Sequence, residues 1–104
     1  MLQPYSEPVM YARVSTIQID PSKLAAMKAA MPSAGAKLKQ IPGIKECITC
    51  WDDSGKGTVF AVYESQEAAD AAAESIRSVW GGLMSNLMAP PSVFGANNVT
   101  NLLR

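Results

Sequence analysis

Two cysteines, Cys47 and Cys50, stand three positions apart in the stretch ECITCWDD, residues 46–53, and the chain has no others. A C-x-x-C pair runs thiol–disulfide exchange when it opens a helix. There the dipole lowers the first thiol's pKa and the turn brings both sulfurs together. It can also supply half of a zinc site, but zinc needs two further ligands. With no histidine and no third cysteine, the chain offers none of the usual ones. The neighbouring residues decide between these readings, because ITCW and the isoleucine before it suit a pleated strand. In a strand, residues three apart point to opposite faces, with Cα atoms roughly 10 Å apart. A disulfide tolerates only about 7 Å. Cys47 and Cys50 are therefore not expected to bond each other, and each reads as a small, buried apolar residue.

Other side chains with chemical potential are scattered. Tyr63, at a strand end, can hydrogen-bond a substrate hydroxyl or simply pack the core. Arg77, three residues before Trp80, can reach an anionic substrate or oxyanion, or lie solvated on a helix edge. Glu46 sits between Ile44 and Ile48; under a helix it would be a carboxylate of raised pKa and a candidate base, and at the sheet edge an ordinary exposed acid. Arg13 falls mid-strand beside Tyr11, Ser15 and Ile17, where a charge must be paired or reach solvent. A barrel interface or a cavity mouth would suit it. Trp80, Met27, Met31 and Met84 recur at helical spacings and can line an apolar pocket or pack helix against sheet. There is no nucleophile–base pair and no metal cluster. Gly55-Lys56-Gly57 is a turn without a following helix, so it is no phosphate cradle.

Composition narrows the setting. A length of 104 residues suits one domain, and 48% apolar with 17% charged residues suits a globular one. Nine basic residues against nine acidic ones, unclustered, give no stripe for nucleic-acid phosphates. The apolar runs are too short to cross a bilayer. The opening MLQPYSEPVM lacks the pattern of a secretory signal, so a reducing cytoplasmic setting is expected. That opening reads as an extended arm over residues 1–8, with one domain over residues 9–104. Without histidine the commonest metal ligand and general base are missing, and neither metal nor cofactor is expected.

The elements that must position these residues follow from pattern. Residues 9–19 read as a first strand, and Asp20-Pro21 opens a helix with a cap and a proline where no N–H is needed. Leu24, Met27, Met31, Ala34 and Leu38 form one apolar stripe. Pro32 inside it predicts a kink or break, and Gly35 weakens the second half. IPGI turns the chain into a second strand, Asp52 to Gly57 makes a hairpin loop, and TVFAVYE is the third strand. Ser65 caps a long helix over about residues 66–88, striped by Ala69, Ala72, Ile76, Trp80 or Val79, Leu83 and Leu87. A bend or close contact is expected at Gly81-Gly82, and SVFGANNV reads as a fourth strand. The order β-α-β-β-α-β predicts an α+β, ferredoxin-like fold: a four-stranded antiparallel sheet with both helices on one face. Bulk on both faces of the second and third strands predicts a second sheet packed on the first, from an identical chain.

The strand MYARVSTIQI, the capped helix, Pro42-Gly43-Ile44 entering a strand, and Tyr63-Glu64-Ser65 before a helix resemble the antibiotic-biosynthesis monooxygenase-like (ABM) domains of the dimeric α+β barrel superfamily. The likeness spans about residues 9–100. It implies a homodimer whose two sheets close a barrel, with a cavity between sheet and helices in each subunit. Some members oxygenate polycyclic phenols or quinols without metal or flavin, by deprotonating the phenol and letting the anion reduce oxygen directly. Others degrade haem through a histidine on the second helix, which this chain lacks. The oxygenases carry an aromatic, usually Trp, where this chain has Tyr63. The resemblance thus implies a cofactor-independent monooxygenase or related enzyme acting on a small aromatic ligand. Candidate catalytic residues are Tyr63, Arg77 and Glu46, and the pocket would be formed by Tyr63, Trp80, Met27, Met31 and Met84. The alternative is a non-catalytic ligand-binding or structural homodimer of the same fold.

Overall fold

A computed structural model describes residues 10–103; the arm expected over residues 1–8 lies outside them. β1 (Tyr11–Gln18) runs into Asp20, whose Oδ1 accepts the Ser22 backbone N–H at 2.9 Å and the Ser22 hydroxyl at 2.7 Å. This cap holds a 3-10 turn, Pro21–Lys23, from which α1 (Leu24–Leu38) continues. Pro32 does not break α1. A proline forfeits one backbone bond and strains one turn, while Met27, Met31, Ala34 and Leu38 hold the helix to the core on both sides of it.

β2 (Ile44–Trp51) and β3 (Lys56–Tyr63) form the hairpin. At its tip Asp52 Oδ1 accepts from the Ser54 N–H and hydroxyl and from the Lys56 N–H, and Gly55 turns the chain with φ +87. A Cβ on Gly55 would overlap the Ile19 carbonyl, and the Ile19 N–H donates to the Gly55 carbonyl at 2.7 Å. Ser65 caps the next helix, its hydroxyl accepting the Ala68 N–H at 3.0 Å.

The single long helix expected over residues 66–88 is instead α2 (Gln66–Ala71), α3 (Ala73–Gly81) and a 3-10 turn, Met84–Asn86. Ala72 interrupts it with ψ −4, well off the α-helical value, yet its N–H still reaches the Ala68 carbonyl. The chain leaves the helix at Gly81-Gly82, where glycine is the weakest helix former short of proline. β4 (Ser92–Ala96) is shorter than the expected segment.

The sheet order is β2-β3-β1-β4, with every neighbouring pair antiparallel. This is the expected ferredoxin-like α+β arrangement. One detail of register departs from simple alternation. Ile44 pairs with Tyr63 but Glu46 pairs with Val62, so one extra residue bulges out between them. The bulge turns Ile44 to the same side as Cys47, Thr49 and Trp51, whereas alternation from Ile48 predicts the opposite side.

Two apolar clusters join helices to sheet. Ile17, Ile19, Met27, Val79 and Leu83 form one; Ile41, Ala61, Tyr63, Ala69 and Ala72 form the other. The opposite face of the sheet carries Val14, Phe60 and Phe94 in register, with Ile48 beside Phe60. Ile48 is 59% and Phe94 60% exposed, so this part of the face is apolar and open among the described residues, whereas Ala12 and Val62 further along it are buried. Cys50 lies on this face and Cys47 on the helix-facing side; both are free and exposed, contrary to their reading as buried residues. Among the described residues no helix is long and apolar enough to cross a membrane.

Candidate active site between helices and sheet

The helix-facing side of the sheet is unusually short in side chain at its centre. Ser15 of β1 and Ala61 of β3 face Ala34 and Gly35 of α1, with Ala69 and Ala73 from α2 and α3. Interiors are ordinarily packed to crystal density, but these small residues cannot meet across the layer. A cavity of about 620 Å³ results, open at one side. Its walls are otherwise apolar, from Met27, Met31, Leu38, Ile76, Val79 and Trp80.

Polar atoms enter mainly from the sheet. Arg13 pairs with Asp70, Nη2 to Oδ1 at 3.0 Å, and its guanidinium carbon lies 5.8 Å from the Tyr11 ring centroid, within cation–π range. The Arg13 Nε is buried and has no hydrogen-bond partner among the described residues. Ser15 is buried one step along the same strand face. The Thr49 hydroxyl is already committed to the Thr58 carbonyl at 3.0 Å. Tyr63 is only 1% exposed, and among the described residues no side-chain hydrogen bond acts on its phenol. Desolvation pushes that phenol up from its ordinary value, the Arg13 charge partly opposing this. Cys47 opens onto the cavity, yet enough protein surrounds it for desolvation to push its thiol up as well.

Tyr63, Arg77, Trp80, Met27 and Met31 therefore meet around one cavity, joined by Arg13. Glu46 does not: it is exposed on the open face of the sheet, one residue out of phase with Cys47. Met84 is also outside the lining and 37% exposed, because α3 ends at Gly81 and the periodicity from Trp80 stops with it. Cys47 and Ser15 are lining residues that pattern alone does not single out as such. Strand alternation separates the two faces of β2 but does not say which of them the helices cover. Asn86, between the helices and β1, has its side-chain nitrogen 3.9 Å from the Met27 sulfur. Among the described residues no three His, Cys, Asp or Glu side chains gather as a metal site.

No family model and no curated protein matches the sequence. Solved structures do match in shape. A candidate antibiotic biosynthesis monooxygenase from Caulobacter crescentus superposes with a TM-score of 0.74 at 18% identity, over 89% of this chain and 92% of that one. A second such candidate, from Bordetella bronchiseptica, gives 0.73 at 14% identity, covering 88% of this chain and 99% of its own. A protein of unknown function from Nitrosomonas europaea gives 0.76 at 15% identity, over 95% and 98%. At these identities the likeness speaks for architecture, and over nearly its whole length the chain has the fold of the candidate antibiotic biosynthesis monooxygenases.

Proposed function

We propose that the cavity binds a small aromatic compound of the phenol or quinol type and promotes its oxygenation by dioxygen. The observation that carries this reading is the cavity itself: about 620 Å³ of mostly apolar space with Arg13, Arg77, Ser15 and Tyr63 converging on it. That is the size and character of a small-molecule site. Its fold is shared with proteins named as candidate monooxygenases.

The lining limits the chemistry. Among the described residues no carboxylate and no imidazole belongs to it, and desolvation pushes the Tyr63 phenol and the Cys47 thiol up from their ordinary values. The protein's contribution is then electrostatic and positional. Two guanidinium groups favour the ionised substrate and lower its phenolic pKa, so that the proton leaves to water at the open side. Tyr63 and Ser15 orient the ring by hydrogen bonds, and the apolar walls exclude bulk water. The phenolate passes one electron to dioxygen, and the substrate radical and superoxide recombine to form a C–O bond. Protonation gives a hydroperoxide, and loss of water leaves a quinone carbonyl.

In this reading a second copy of the chain packs on the open sheet face, and the two free cysteines suit a reducing cytoplasm. The absence of a general base from the lining favours one alternative, a non-catalytic ligand-binding homodimer. An oxygen electrode separates them. Dihydroxynaphthalenes and anthrols in air should consume oxygen in proportion to enzyme, at a rate that rises with pH through the bound phenol's pKa. Saturable binding without uptake across the panel assigns the protein to the second class.

A further inference from the structure

We infer that the ligand of this cavity carries one carboxylate on an otherwise apolar ring body, and that Arg77 at the open side receives it. The inference rests on reading the cavity as a small-molecule site, and it adds the ligand's charge and orientation.

The cavity carries an unanswered charge. Among the described residues, the ionised side chains lining the cavity are Arg13 and Arg77, with no acid beside them. Asp70, just outside, answers Arg13 at 3.0 Å, and this is the only ion pair among the described residues. Glu74 lies one turn from Arg77 on α3 but makes no pair with it. Arg77 therefore leaves the site one net positive charge against apolar walls, where a cation attracts more strongly than in open water.

Position gives the orientation. Arg77 lines the cavity from α3, whereas Asp70 belongs to α2 on the other side of the break at Ala72. Arg77 is exposed while Met27, Val79 and Tyr63 are buried, so the charge sits at the rim and the apolar depth lies beneath it. A ligand that matches both ends enters ring first and keeps its anion at the rim. A guanidinium presents two parallel N–H groups that fit the two oxygens of a carboxylate. A phosphate dianion would leave its second charge unanswered, and a neutral phenol would leave Arg77 unused.

Calorimetric titration at neutral pH with 2-naphthol and 2-naphthoate, which share one ring body, tests this on the wild type, Arg77→Gln and Arg77→Lys. Naphthoate should bind the wild type about fivefold more tightly than naphthol, the size of a partly exposed charge pair, with the margin shrinking as salt is raised. Arg77→Gln should erase the margin between the two compounds, and Arg77→Lys should keep part of it. Because Arg77 is exposed, its variants should melt like the wild type. Equal or tighter binding of naphthol by the wild type overturns the inference and leaves the cavity reading intact. A margin that survives in Arg77→Gln overturns the assignment to Arg77. If neither compound binds the wild type, the cavity reading falls and the inference falls with it.

Discussion

Tyr63 is among the largest side chains the fold shields completely, and its phenol faces a cavity rather than a partner. Burial raises its pKa, so the folded chain holds the phenolic proton at pH values where the unfolded chain releases it. The sign follows directly: this contribution to stability is complete below the ordinary tyrosine value, about pH 10, and is lost as pH rises through the folded pKa. Cys47 acts in the same direction from the thiol range upward. Urea midpoints measured between neutral pH and about pH 11 should therefore fall more steeply for the wild type than for Tyr63→Phe. Equal slopes would mean that the Tyr63 phenol is solvated in the folded protein. Arg13 is the other residue whose setting matters here. Held by Asp70 on one side and the Tyr11 ring on the other, it keeps its orientation before any ligand arrives.

At the scale of elements, most of the fold is legible in the sequence, and the exceptions have physical causes. The caps at Asp20 and Ser65, the α1 stripe and the hairpin loop are local signals, and they appear where local chemistry puts them. Three features are not local. Pro32 is outweighed by packing on both sides of it, which no window around the proline reveals. Ala72 is a good helix former that nonetheless interrupts a helix, so its own propensity does not announce the break. The bulge after Ile44 reverses one strand position, and the Pro42-Gly43 pair just before it reads as a turn into the strand rather than as a bulge. The cavity lining is legible for Tyr63, Trp80, Met27 and Met31 because large side chains carry the pattern, whereas the hollow itself comes from small ones. Gly35 is one of these. A Cβ built on it meets nothing within 4 Å, and its backbone is helical, so Gly35→Ala should stabilise the protein by about 1 kcal/mol. Denaturant titration reads this directly; a loss of stability would show that α1 needs the glycine's freedom.

For the whole molecule, the open sheet face is the feature that one chain leaves unresolved. Ile48, Phe60 and Phe94 stand exposed on it around Val14. A sheet with one face wet normally alternates apolar with polar residues, and an apolar face of this kind marks an interaction surface. Light scattering on the eluting protein should give twice the chain mass of 11.1 kDa. Phe94→Glu, which buries a charge in such an interface without touching the cavity lining, should shift the protein to the monomer mass. A wild-type monomer at micromolar concentration would remove the second copy from the proposal.

The hairpin tip has a bearing on how this chain can change length. Exposed turns between strands are ordinarily where extra residues are accepted and where sequences are grafted. Here the tip is pinned from two sides: Asp52 gathers the turn, and Gly55 lies against the Ile19 backbone where β1 hands over to α1. Lengthening the turn would pull on the junction that sets where α1 begins, and with it the placement of Met27 and Met31 over the cavity. Divergence in loop length should therefore collect elsewhere on the surface, and this turn should keep its register.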